Sequence, residues 1–252
     1  MIRIVAGAHT HIHWTGLTDT DLLQVGDLPM GSYEISPAQA LQTAIRFIKE
    51  GRMSAIKLEG GAEMAPTIRT ITRAGIPVIA HVGLTPQRQN ALGGFRVQGK
   101  TSTAALRVLE DARAVQDAGA FAVIIEAVPE GVATLVTKKL RIPTIGIGAG
   151  KGCSGQVLVQ IDMVGNFPPG RFLPKFVKKY GDVWGEAKSA IEKYAAEVKS
   201  RTYPAVEHTY AMPEKELEEF VRAVEVEEGR GVASQIEFTG GSVGVGGSGG
   251  TV

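Results

Sequence analysis

The chain has 252 residues, enough for one large α/β domain or two small ones with a sizeable core. Its 44% hydrophobic content and net charge of +1 give no basic excess that would point to nucleic acid, and no apolar run approaches the roughly 18 residues of a membrane span. The single cysteine, Cys153, excludes an internal disulfide framework and a cysteine zinc cluster. It favours a reducing intracellular compartment over secretion, with cytosol and mitochondrion both open.

Residues 1–21 carry little pattern. Ile2 to Ala6 can form one strand, too short in its apolar part to be a secretory signal. His9, His11 and His13 alternate with other residues, so on a strand all three rings would share a face. A His-x-His pair at a strand end is a metal-site candidate. With no acidic or histidine partner nearby in sequence, an accidental feature of a terminus is the simpler account.

From Leu22 the pattern becomes regular. Leu22 to Val25 is a short buried-strand candidate ending at Gly26-Asp27-Leu28-Pro29. Ser36 N-caps a helix with Pro37 at its first position, an apolar stripe through Ala40, Leu41, Ala44, Ile45 and Ile48, and Gly51 as its stop. Ala55 to Leu58 is the next strand, ending at Glu59-Gly60-Gly61, with a helix through Ile68 and Ile71 behind it. Ile76 to Ala80 leads to His81 and a long loop, rich in glycine, glutamine and asparagine, that reaches Lys100 and suits closure over a small ligand. A helix from about Thr101 carries Leu106, Leu109, Ala112 and Val115. Phe121 to Ile125 ends at Glu126, and the following helix starts after Pro129. Ile142 to Ile147 is the fifth strand of this series, and Val157 to Val159 a sixth that ends near Asp162. Residues 182–199 form a further helix, and 211–226 an exposed charged one. The Gly-rich composition of 227–252 predicts a disordered tail.

Continuous apolar strands alternating with helices are the signature of a parallel sheet covered by helices. Asp27, Glu59, His81 and Glu126 each follow the last apolar residue of a candidate strand. A lone acid at a strand end would only cap the next helix. Four polar groups at four successive strand ends would sit on one rim of a parallel barrel, where catalytic groups gather. Two carboxylates with water suit a hard cation such as Mg²⁺. Lys57 lies two residues before Glu59 and faces the same side, either snorkelling outward or holding an anionic substrate. Gly150 to Gly155 fits G-x-G-x-x-G, but Asp162 follows Gly155 by only 7 residues where a dinucleotide site has its acid about 20 on. A tight turn is the better account. Cys153 has no histidine near it in sequence, which argues against a nucleophile.

Gly26 to Tyr33, Lys57 to Gly61, His81 to Gln87, Gly94 to Gly99, Glu126 to Pro129, Ile145 to Gly150 and Pro174-Lys175-Phe176 together resemble the ketopantoate hydroxymethyltransferase family, in the right order across about residues 22 to 210. The resemblance implies a TIM-type (β/α)₈ barrel over 22–210. It also implies transfer of a one-carbon unit from 5,10-methylenetetrahydrofolate to 3-methyl-2-oxobutanoate, giving 2-dehydropantoate on the route to pantothenate. Carried over residue by residue, Asp27 resembles a Mg²⁺ ligand that also touches the keto acid, and Glu59 a second acid of the metal's shell. Lys57 and His81 resemble substrate-binding groups, and Glu126 the base that removes a proton beside the ketone. Homo-oligomers, decamers in this family, are implied as well, with no nucleic acid or membrane partner.

The front of the chain departs from the family. Members carry two further strand–helix units there, with a Gly-Asp-Ser segment that supplies a second metal ligand and a carboxylate anchor, and nothing in 1–21 matches it. The expectation is a barrel lacking its first two units, poorly soluble and with little transferase activity as this chain alone. Two other readings stay open: a catalytically dead subunit of that family, and a metal-dependent hydrolase using His9-x-His11.

Overall fold

The computed structural model describes residues 2–6 and 23–229, with side chains placed from 24 to 226. Seven parallel strands form one sheet whose spatial order follows the chain: β1 (Ile2–Ala6), β2 (Leu23–Asp27), β3 (Ala55–Glu59), β4 (Val78–Gly83), β5 (Ala122–Glu126), β6 (Thr144–Ile147) and β7 (Gly155–Gln156). The crossover helices are α1 (Pro37–Lys49), α2 (Ala65–Arg73), α3 (Ser102–Asp117) and α4 (Glu130–Lys139). This is an α/β fold with a parallel sheet, as the continuous apolar runs predict. Among the described residues no pairing joins β7 to β1, so the sheet is open.

Local chemistry sets the helix boundaries. The Ser36 hydroxyl accepts from the Gln39 N–H at 3.1 Å and Pro37 occupies the first turn, so α1 starts where its donors are already satisfied. Thr101 caps α3 in the same way, accepting from the Ala104 N–H at 3.2 Å.

Strand alternation divides the interior into two clusters. Ile56 and Leu58 of β3, Val78, Ala80 and Val82 of β4, and Val123 and Ile125 of β5 pack in one cluster. Ala40 and Ala44 of α1, Ile68 and Ile71 of α2, Val108, Ala112 and Val115 of α3, and Ala133 and Val136 of α4 complete it. The residues in between, Val25, Ala55, Ile79, Ala122, Ile124 and Ile147, form a smaller cluster on the other face. With a side-chain period of two, that second face also carries Asp27, Lys57, Glu59, His81 and Glu126. The polar set therefore stands above an apolar floor at the C-terminal ends of β2 to β5. Register fixes which strand ends meet: Asp27 is level with Lys57, Glu59 with His81, and Gly83 with Glu126.

The predicted sixth strand over Val157 to Val159 does not form. β7 is only Gly155–Gln156, its ladder to β6 ends one bond later at Val157 N–H to Gly146 C=O (3.0 Å), and the chain turns into the short helix α5 (Gln160–Met163). Val159 and Ile161 are exposed, so this apolar run is not sheet interior. Asp162 consequently lies on a helix and pairs with Arg171 at 3.2 Å, away from any strand end. The G-x-G-x-x-G segment is a turn leading into β7.

The chain divides into two compact units, 1–187 and 188–252. Helix α6 (Val183–Ser200) lies one residue after the predicted 182–199. Helix α7 (Glu214–Gly229) starts three residues after the predicted 211 and ends three past 226, where Glu227 and Glu228 continue a helix-favouring run. Of the predicted tail, 230–252 lies outside the described residues. Within the second unit Tyr203 packs edge-on to Tyr194 at 5.4 Å and against His208 at 5.2 Å. No helix among the described residues is long and apolar enough to cross a membrane.

Candidate active site

Four strand ends deliver five polar side chains into one row. The Lys57 ammonium donates to both Asp27 carboxylate oxygens, at 2.9 Å to Oδ1 and 2.8 Å to Oδ2, and stands 3.6 Å from Glu59 Oε1. The same Glu59 oxygen lies 3.9 Å from His81 Nδ1, and His81 Nε2 lies 3.2 Å from Glu126 Oε2. The row Asp27–Lys57–Glu59–His81–Glu126 is thus continuous. Burial makes it consequential: the side chains of Lys57, Glu59 and His81 are 6%, 3% and 3% exposed, against 18% for Asp27. Lys57 does not snorkel out; its head is the hub of the carboxylates.

Both ring nitrogens of His81 are buried without a hydrogen-bond partner. The Glu126 oxygen is near enough to Nε2 but off the ring N–H direction. A buried donor or acceptor left open costs about 1–3 kcal/mol, and here it borders the carboxylate of Glu126. The row sets three acidic side chains against one lysine and one histidine, a surplus of oxygen donors. That surplus suits a cation. Among the described residues no three His, Cys, Asp or Glu side chains converge closely enough to hold an ion alone. A Mg²⁺ ion, which commonly takes one or two carboxylates and fills its other positions with water and substrate oxygens, would find its protein ligands here in Asp27 and Glu59. His9, His11 and His13 lie outside the described residues.

Backbone strain marks the same rim. Ala127, directly after Glu126, has φ +48°, a left-handed conformation costing a non-glycine residue about 1–2 kcal/mol. Two bonds hold it: its N–H donates to Ile147 C=O at 2.9 Å, and its C=O accepts from the Gln98 N–H at 2.8 Å. Gln98 belongs to the glycine-rich loop after β4, so that loop is bonded to the end of β5. Gly83 (φ +86°) permits the approach on the other side, since a Cβ there would strike the Glu126 carbonyl.

Two residues of the site were not legible as such in sequence, Tyr33 and Gln87. Tyr33 is fully buried and its hydroxyl accepts from the Glu59 N–H at 3.4 Å. Burial, only partly offset by that bond, pushes its phenol above the usual tyrosine range, so it stays a neutral donor. The Gln87 N–H donates to Glu59 Oε2 at 3.0 Å. The one available signal was position: each is a polar residue in the loop that follows a site-bearing strand.

The profile of the ketopantoate hydroxymethyltransferase family matches residues 7–206, which include every residue of the row. The chain belongs to the ketopantoate hydroxymethyltransferase family. The 3-methyl-2-oxobutanoate hydroxymethyltransferase of Emericella nidulans is 70% identical over 201 residues, covering 80% of this chain and 58% of the relative. Enzymes of the same name from Rhodococcus jostii (57% identical) and Oleidesulfovibrio alaskensis (52%) cover 75% and 77% of this chain, and 64% and 66% of themselves. The chain therefore spans about three-fifths to two-thirds of the length of the ketopantoate hydroxymethyltransferases it matches.

Proposed function

We propose that this chain binds 3-methyl-2-oxobutanoate at the row of strand-end residues and carries out the hydroxymethyl transfer of its family on it, as part of a (β/α)₈ barrel. The observation that carries the reading is the buried row itself, in which a carboxylate at the end of β5 stands beside an unpartnered histidine and opposite a lysine-bridged pair of carboxylates.

Glu126 takes the proton from the carbon between the ketone and the two methyl groups. The electron pair of that C–H bond becomes the C=C bond of an enolate, with negative charge on the former ketone oxygen. Mg²⁺, held by Asp27 and Glu59, supplies positive charge to that oxygen when bound. Lys57 keeps the two acids in place and offers its ammonium to the substrate carboxylate. His81, next to Glu126, gives the abstracted proton a neighbour to be shared with and keeps it off bulk water. The enolate carbon then bonds to the one-carbon unit of 5,10-methylenetetrahydrofolate. One C–N bond of the methylene bridge opens to give the iminium carbon that the enolate attacks, re-forming the ketone. The second C–N bond then breaks as a water oxygen takes its place on that carbon and the water's proton goes to nitrogen, so that 2-dehydropantoate and tetrahydrofolate result.

Isothermal titration calorimetry of the chain with 3-methyl-2-oxobutanoate, with and without Mg²⁺, tests the reading against 3-methylbutanoate, which lacks the ketone. Mg²⁺-dependent binding of the keto acid alone is expected. Equal binding of both acids, or of neither, would overturn the substrate assignment.

A further inference from the structure

Glu59 is the one acid of the row that is gripped from behind. Its Oε1 faces Lys57 and His81, while its Oε2 accepts the Gln87 N–H at 3.0 Å. The Gln87 side chain is bonded twice, through Nε2 to Leu28 C=O at 3.0 Å and through Oε1 to the Tyr33 hydroxyl at 3.3 Å. The Tyr33 hydroxyl meets the Glu59 N–H at 3.4 Å. These bonds close a ring, Glu59 to Gln87 to Tyr33 and back to Glu59, with a spur to the residue after Asp27.

Donor and acceptor chemistry leaves the ring only one direction. A carbonyl can only accept, so the Gln87 amide nitrogen must face Leu28. Its oxygen then faces Tyr33, which must donate to it, and the hydroxyl lone pair is left to receive the Glu59 N–H. No member can be turned over without breaking two bonds. The ring also ties the loops after β2 and β4 to the last residue of β3, and Gln87 belongs to the glycine-rich loop that reaches Ala127 beside Glu126. A second contact anchors the same loop from outside, Arg88 to Glu63 at 2.6 Å.

We propose that Gln87 and Tyr33 are positioning residues that hold the Glu59 carboxylate in its working orientation, so that the closed loop after β4 and the acid of β3 act as one unit. The proposal rests on the functional reading above for what Glu59 does, and on the ring alone for how Glu59 is held.

Three substitutions separate this from mere packing. Gln87→Met keeps the volume and the main-chain N–H but removes both side-chain bonds. Tyr33→Phe removes only the hydroxyl. Gln87→Glu keeps the shape and turns an acceptor toward Leu28 C=O, until acid pH gives the new carboxyl a proton to donate. Amide hydrogen exchange is read at Glu59 and Gln87 in the full chain, without ligand. Gln87→Met and Tyr33→Phe should each speed exchange at Glu59 by about tenfold, the scale of one lost hydrogen bond. The double variant should lose no more than either single one, because the ring opens once. Protection in Gln87→Glu should recover as pH falls, relative to the native chain at each pH. Unchanged protection, losses that multiply in the double variant, or no acid recovery would overturn the ring as a unit.

A second arm tests positioning. Deuterium uptake into 3-methyl-2-oxobutanoate should show a lower kcat in Gln87→Met with KM nearly unchanged. A native kcat in that variant, despite lost protection, would overturn the positioning role. No uptake by the native chain would instead overturn the functional reading, while the exchange arm still decides the ring.

Discussion

Replacing Lys57 by methionine removes the hub of the site while nearly preserving its volume. The ammonium now makes two short bonds to Asp27, at 2.8 and 2.9 Å, and a longer approach of 3.6 Å to Glu59. Breaking a buried ion pair by deleting one partner costs about 3–5 kcal/mol, because the other charge stays buried and unpaired. Asp27 retains 18% exposure and some access to water, and Glu59 keeps the Gln87 N–H, so the low end applies, about 3 kcal/mol. For a chain of this size each kcal/mol lowers Tm by about 2–4 °C, so thermal unfolding followed by circular dichroism should show a drop of about 6–12 °C. The signature lies in the second variant. Lys57→Met with Asp27→Asn should recover more than half of the loss, since the uncompensated charge is gone. Mg²⁺ should raise the Tm of the single variant more than that of the native chain, by restoring a cation beside both acids. A loss below about 1 kcal/mol, the range of exposed ion pairs, would refute the picture of a desolvated row.

Two further outcomes follow from particular groups. Burial, ahead of the nearby Glu63 and Glu110 carboxylates, holds the Asp111 carboxyl above its ordinary range, while the bond it accepts from the Ala62 N–H at 2.9 Å opposes the shift. Ionisation of Asp111 therefore costs stability: the cost is absent below the unfolded carboxylate range and complete once pH has risen through the folded value. Asp111→Asn, which can keep the bond to Ala62, should match the native chain in urea unfolding near pH 3 and exceed it at pH 7; a variant equally stable relative to the native chain at both would contradict the shift. In calorimetric Mg²⁺ titrations Asp27→Asn should weaken or abolish binding, and alanine at His9, His11 and His13 together should leave it intact. The reverse pattern would favour the histidine-based hydrolase.

The row was legible because each of its strands announces its own end. Phe121 to Ile125 is an unbroken apolar run that stops at an acid, and Ala55 to Leu58 is a run interrupted only by Lys57 that does the same. Alternation along Ala55, Lys57 and Glu59 already placed lysine and acid on one face. Capping chemistry made α1 equally readable through Ser36 and Pro37. The misread strand at Val157 has a different cause. Apolar character there was real, but ladder length is set by the partner, and β6 offers β7 only Ile145 and Gly146. The ring through Tyr33 and Gln87 was invisible for a third reason: its members lie 54 residues apart in loops without periodicity, and only the register of β2 to β4 brings them together. The left-handed Ala127 likewise depends on bonds from Ile147 and Gln98 that no local pattern encodes.

Deuterium wash-in to 3-methyl-2-oxobutanoate, followed by NMR with Mg²⁺ present, asks for the first chemical step alone and needs no folate. A positioned general base contributes about 10²–10⁴ in rate. The native chain should therefore exchange the proton beside the ketone at least about 10² times faster than Glu126→Gln, with circular dichroism showing both equally folded. Equal exchange by a folded Glu126→Gln variant, or no exchange above buffer by the folded native chain, would contradict the assignment of the β5 carboxylate as the base of this site.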